Sequence, residues 1–337
     1  MARERPAKYL ARRLLYYGGL NRLLLALRSR SIILGYHRVI PAGPGLLNQF
    51  LDSVSPEDFA GHLRYLRSLG FRFVGLNELV ASLSPAAGRP ARLAVVTFDD
   101  GYRDLYDNAL PILRDLGVPF SLFLNTATVG ANRLSWVHRV LAALDRVSPE
   151  TQTRLLAAAI QAPAGLGLEE LFGRLVRWPD SGRLEAISQD LASRTGLTPE
   201  DEARTCRELY LDWGQLSELA GQGGSIECHT HEHFPLSSLG GEQVAGQIQT
   251  CNQIIQQNLG RPPQAMSIPF GLDNAGALPR LSQLRLSAVC TSRRALVGPD
   301  AQAEALPRVF PVGNTLDLAT RLSRLLLGNK RNKTGRG

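Results

Sequence analysis

From residue 31 onward, short apolar runs rich in β-branched residues alternate with longer stretches whose apolar positions recur every three or four residues. The short runs, at 31–36, 71–74, 93–98, 118–124, 225–228, 264–268 and 286–291, predict seven strands. A helix is predicted after the first: Ser55 can cap it, Pro56 suits its first position, Phe59, Leu63, Leu66 and Leu69 form its apolar stripe, and Gly70 ends it. Similar patterns predict helices at 104–116, 213–221, 241–259 and 315–327. Repeated strand–helix units place the strands parallel. The predicted fold class is therefore α/β, a distorted (β/α) barrel of about seven parallel strands.

One stretch breaks the alternation. Residues 134–211 read as helix, with Leu141, Leu144, Leu155, Leu156, Leu171, Leu175 and Leu191 at core spacing. Strand-to-helix loops usually run to about two to six residues, so this is a helical insertion, either a lid or a buttress. Three segments result: a leader over 1–30, a barrel over 31–320 that carries the insertion, and a tail over 321–337.

Composition changes the picture mainly at the two ends. The chain has 337 residues, 44% of them apolar, enough to bury a sizeable core. Its net charge of +8 hides an asymmetry: residues 1–38 hold nine Lys/Arg against Glu4, and 321–337 hold six against no acid. The body between carries 23 basic against 29 acidic residues, which argues against nucleic acid as a partner. The leader repeats Leu10, Leu14, Tyr17, Leu20, Leu24 and Leu27 at helical spacing, interleaved with Arg12, Arg13 and Arg22. Two readings stay open for it: a basic amphipathic contact with an anionic membrane surface through residues 8–28, or a helix packed on the barrel. No export signal is legible, so the expected location is cytoplasmic, at the inner membrane face. Cys206, Cys228, Cys251 and Cys290 show no CxxC spacing and read as small core residues.

The candidate chemistry lies in two distant motifs. The strand at 93–98 delivers Asp99 and Asp100 at its carboxyl end, where barrel sites are built. Successive strand side chains point to opposite faces, so both carboxylates serve one site only if the chain turns, which Gly101 permits. Bonding of both acids to turn amides is the alternative. Downstream, His229-Thr230-His231-Glu232-His233 follows another strand. In a turn, His229 and His233 can reach one ion; in an extended chain, His231 would join them. Two imidazoles plus Asp100 leave an open position, as catalytic zinc requires.

These motifs, TFDDGY at 97–102 and HTHEH at 229–233, resemble the hallmark motifs of the polysaccharide deacetylase family. YHRV at 36–39, WGQL at 213–216, PLS at 235–237 and SIPFG at 267–271 extend the resemblance. It implies Asp99 as general base, Asp100, His229 and His233 as ligands of Zn2+ or another divalent transition metal, and a backbone N–H near Pro269-Phe270 as oxyanion donor. Tyr102 joins the candidate substrate contacts on the same ground. Arg308 is a substrate clamp or a barrel-closing salt bridge, the second being the safer reading. Two departures stand out. Ser267 occupies the place of the arginine that usually orients the base, and no histidine follows His233 to act as acid. His37, at the end of the first strand, is the best replacement acid.

The implied activity is removal of N-acetyl groups from amino sugars of a glycan or a lipid-linked glycan precursor. A deformylase or deacetylase acting on a polyprenyl-phosphate sugar is one alternative, and a catalytically weak, metal-bearing glycan-binding protein is another. Paired glycosidase carboxylates stand about 5 Å or more apart across a glycosidic bond, so adjacent acids fit that chemistry poorly.

Overall fold

All seven predicted strands form one sheet in the computed structural model, which describes residues 19–27, 30–84, 92–163, 165–271 and 286–327. The strands are β1 (Ile32–Tyr36), β4 (Arg72–Phe73), β5 (Leu93–Asp99), β6 (Phe120–Leu124), β7 (Gly224–Cys228), β8 (Ala265–Ser267) and β9 (Ala288–Cys290). Their order is β1-β5-β6-β7-β8-β9, with β4 also pairing with β5, and every ladder is parallel. Two short strands unforeseen in the sequence, β2 (Arg38–Val39) and β3 (Ser53–Val54), pair separately.

The sheet curls into a distorted (β/α) barrel whose closure is irregular. One extended segment spans the gap between β9 and β1: Leu306 bridges Cys290, and Val309 bridges Leu34. Strand alternation divides the apolar residues between two clusters. Ile33, Val95, Phe123, Ala265, Cys290 and Leu306 share one, while Ile32, Leu34, Val96, Phe98, Leu122 and Leu124 pack among the surrounding helices. Each such buried side chain stabilises the fold by about 1.5–3 kcal/mol relative to exposure. By the same period of two, Thr97 and Asp99 continue the face of Val95, and Ser267 and Arg308 continue those of Ala265 and Leu306.

The helix with its Ser55 cap spans Pro56–Ser68, and Asp58 N–H donates to the Ser55 hydroxyl. Helices Trp213–Gly221, Gly241–Leu259 and Thr315–Leu327 match their predicted bounds. The expected helix at 104–116 is instead a π-turn, Leu105–Ala109, running into Leu110–Asp115. The helix Thr315–Leu327 runs across residue 320 without a break. Much of the leader lies outside the described residues. Its described helix, Leu20–Leu27, packs on the barrel: Asn21 is buried and donates to Tyr65 and to the Ala319 carbonyl, while Leu25 joins the core. All four cysteines are free and buried, as small core residues.

The insertion folds as five helices among the described residues: Trp136–Leu144, Pro149–Ala159, Leu168–Leu175, Ser181–Thr195 and Pro199–Leu209. Arg139 is buried in it and fixed by Glu185 and Glu202. No helix among the described residues is long and apolar enough to cross a membrane.

Candidate active site

The carboxyl ends of β5 and β7 bring the two motifs together. Asp99 ends β5 pointing inward, and Asp100 then enters the left-handed region with φ 74°, followed by Gly101 at φ 84°. The turn expected of Gly101 thus begins one residue earlier, at the acid itself, and it swings the second carboxylate onto the same rim. After β7, Thr230 (φ 67°) and His233 (φ 58°) make the corresponding turn, and the Thr230 hydroxyl accepts a hydrogen bond from His233 N–H. Phe270 is also left-handed, at φ 56°. Four of the five non-glycine residues with positive φ among the described residues therefore surround one site. Such conformations cost about 1–3 kcal/mol each and persist where the surroundings over-determine them.

Asp100 Oδ1 lies 3.1 Å from His233 Nε2 and 3.5 Å from His229 Nε2, and all three residues are buried. His231 turns away to Thr126, so the site has two histidines, not three. His229 Nδ1 donates to the Ser267 carbonyl at 2.8 Å, which turns Nε2 toward the Asp100 carboxylate, the orientation a metal-ligating imidazole would need. Bonds of about 2.0–2.1 Å in a tetrahedral zinc site separate ligand atoms by about 3.3–3.4 Å, close to both observed distances. Protonation states agree with this use. Burial alone would raise the Asp100 pKa, but the imidazoles of His233 and His229 outweigh it and lower it. Burial pushes His233 down to about 3, hence neutral. The donor set fits a divalent transition metal.

Asp99 is held from a different segment. Arg308, only 1% exposed, donates from Nη1 to Oδ1 at 2.7 Å and from Nη2 to Oδ2 at 2.8 Å. Nη2 also donates to the Ser267 hydroxyl at 2.6 Å, and Nη1 to Thr97 Oγ1 at 3.2 Å. Burial would raise the Asp99 pKa, but the Arg308 charge, then His229, the Arg308 hydrogen bonds and His37, bring it below the ordinary value. Arg308 thus forms a buried salt bridge with Asp99 and also lines the cavity. Ser267, in the place where an arginine was expected, is small enough to admit the guanidinium of Arg308 from the closing segment. Sequence spacing carried no signal for this contact, because 209 positions separate its partners.

A cavity of about 350 Å³ opens over this arrangement, lined by Asp99, Asp100, His229, His233, His37 and Phe270 among others. His37 Nε2 lies 3.9 Å from Asp99 Oδ2, and its ring stacks on Phe310. The insertion contributes Val137, His138, Phe172 and Val176 to the wall. Trp136 donates to the His233 carbonyl at 3.1 Å and packs against Phe270. Pro269 is buried behind Phe270. Tyr102 is corrected: it does not line the cavity, but is 1% exposed and hydrogen-bonded to His138 at 2.7 Å. The sequence reading left His138 without a role.

Residues 86–289 match the family model described as polysaccharide deacetylase. The chain belongs to this family. Among curated relatives, a poly-beta-1,6-N-acetyl-D-glucosamine N-deacetylase of Staphylococcus epidermidis is 28% identical over 122 residues, 33% of this chain and 41% of that protein. A Staphylococcus aureus (strain N315) protein of the same name is 31% identical over 113 residues, 30% of this chain and 38% of that one. The chain thus spans about four-tenths of the length of these relatives. Two solved structures share the fold. The Streptococcus pyogenes deacetylase PplD, in complex with acetate, has a TM-score of 0.57 at 15% identity, covering 88% of this chain and 99% of that one. IcaB from Ammonifex degensii has a TM-score of 0.58 at 20% identity, covering 87% and 97%.

Proposed function

We propose that this chain is a metal-dependent hydrolase that removes N-acetyl groups from glucosamine units of a glycan. One observation carries the reading: the Asp100-His229-His233 donor set and an Arg308-bound Asp99 share the floor of a single cavity. A zinc or similar divalent ion held by those three residues would supply Lewis acidity, activating water and polarising the amide carbonyl. Asp99, kept ionised and immobile by Arg308, accepts the proton as the water oxygen bonds to the amide carbon. The backbone at Phe270, fixed in its turn between Pro269 and Gly271, faces the developing oxyanion. His37, on the Asp99 side of the cavity, gives its proton to the nitrogen as the C–N bond breaks, releasing acetate and the amine. Arg308 and His37 together supply the two functions whose usual residues are missing, which favours turnover over mere glycan binding.

The relatives' names favour an N-acetylglucosamine polymer as substrate. Leu23, Leu27 and Leu327, exposed beside Arg22 and Arg324, are the surface through which we place the chain at the cytoplasmic membrane face, where a lipid-linked precursor would also be within reach.

Metal analysis combined with acetate release from N-acetylglucosamine oligomers tests the reading. Asp99→Asn should keep its metal while losing about 10²–10⁴ in rate, the usual worth of a general base. Full turnover in that variant would overturn the assignment. Parallel assays with N-formyl and lipid-linked sugars separate the substrate alternatives.

A further inference from the structure

The helix Leu168–Leu175, in the middle of the insertion, sets out two apolar pairs, each spaced four apart. Leu171 and Leu175 are fully buried in the core, as a buttress requires. Phe172 and Val176 stand about 100° further round the axis and are only half-buried, because their face opens on the cavity. Phe50 lines the same cavity, and its ring centroid lies 4.7 Å from that of Phe172. Both segments are fixed. Leu46 N–H donates to Asp145 Oδ1 at 3.2 Å, which ties the short helix Leu46–Phe50 to the end of the insertion's first helix. That first helix is pinned to the histidine turn by the Trp136 bond to the His233 carbonyl, and braced from within by Arg139. Ser292 and Arg294, by contrast, bring polar groups to the cavity from beyond β9, three strands further round the sheet from β6 and the insertion.

We propose that the insertion is a substrate-binding wall and not a buttress, and that Phe172 with Phe50 receives the apolar C–H face of an N-acetylated pyranose ring. The inference rests on the hydrolase reading above and adds to it which residues hold the sugar. A pyranose is amphipathic in the same sense as the cavity: its ring C–H bonds make an apolar face, and its hydroxyls lie round the edge. The π face of an aromatic ring is negative and attracts such C–H groups, while apolar surface that would otherwise face water is covered. Hydroxyls at the ring edge then meet the polar side, where Ser292 and Arg294 offer hydrogen bonds. At about 350 Å³ the cavity lies near the lower end of small-molecule sites, which run to about 300–1,000 Å³, so the aromatic wall and the hydrolytic groups act on the same small unit.

The test compares acetate release from N-acetylglucosamine oligomers by Zn2+-loaded wild type, Phe172→Leu, Phe50→Leu, Phe172→Tyr and Arg174→Ala. Leucine keeps an apolar side chain and removes the ring, whereas tyrosine keeps the ring face. Arg174, exposed on the same helix and outside the cavity wall, is the control. A contact made equally in the ground state and the transition state, once lost, raises KM and leaves kcat unchanged. Expected is a KM about 3–10-fold higher in the two leucine variants, with kcat within about twofold of wild type. Phe172→Tyr and Arg174→Ala should keep the wild-type KM. Zn2+ affinity, measured by chelator competition, should stay at the wild-type value throughout, which separates a lost sugar contact from a loosened site. Calorimetric binding of the same oligomers to metal-loaded Asp99→Asn protein should weaken by the same factor when either leucine is added. Thermal unfolding identifies any variant that does not fold, and the remaining ones decide the matter. A KM within about twofold of wild type in the leucine variants, an equal loss in Phe172→Tyr, or a fall in kcat alone would overturn the proposal. Failure of the underlying hydrolase reading looks different: wild type itself would release no acetate, and the calorimetric comparison would still decide whether the wall binds sugar.

Discussion

Replacing Arg308 by methionine isolates the contact on which Asp99 depends. Methionine roughly keeps the length of the apolar stem and removes the guanidinium, together with its position over the Phe123 and Phe310 rings. The carboxylate left behind is 3% exposed and loses two charge-assisted bonds of 2.7 and 2.8 Å. Deleting one partner of a buried ion pair typically costs about 3–5 kcal/mol, more than the pair contributes, because a buried charge is left uncompensated. Urea denaturation of chelator-treated protein at pH 7 should show that loss. Asp99→Asn/Arg308→Met removes both charges and should recover part of it, giving a coupling of about 2–3 kcal/mol in a double-mutant cycle. Arg308→Lys, which keeps the charge but not the planar fork, should fall between. A loss below about 1 kcal/mol, or a double variant as unstable as the sum of the singles, would refute the account of Asp99.

Three further outcomes follow from named contacts. His37→Ala should retain bound metal and lose about 10²–10⁴ in rate; an unchanged pH–rate profile would remove His37 as the acid. Gly101→Ala forces a Cβ to within 2.5 Å of Leu124 Cδ1 at φ 84° and should cost about 1–3 kcal/mol, read by urea denaturation. His138 has a folded pKa near 4 against about 6.5 unfolded, so its contribution is present above pH 6.5 and is lost as pH falls toward 4. Between those values the chelated wild type should lose about 3 kcal/mol more than His138→Gln; equal pH slopes would contradict the buried neutral ring.

Local pattern was enough to place every strand of the main sheet, most helices, the insertion and the donor residues Asp100, His229 and His233. Each rests on information within a few positions: apolar runs, a Ser-Pro cap, paired acids before a glycine, histidines four apart. Bounds shifted by a residue or two at strand ends, and the helix expected at 104–116 divided. Chain order alone could not decide how the barrel closes, where Asp99 finds its cation, or whether Tyr102 meets substrate. Those depend on which distant segments the curled sheet brings side by side. Segment 306–309 lies between β9 and β1 and aims Arg308 inward beneath Asp99, and the insertion turns His138 toward Tyr102. The donor residues belong to the primary sequence, whereas the groups that hold and orient them are set by packing between segments separated by tens to hundreds of residues, which no local spacing encodes.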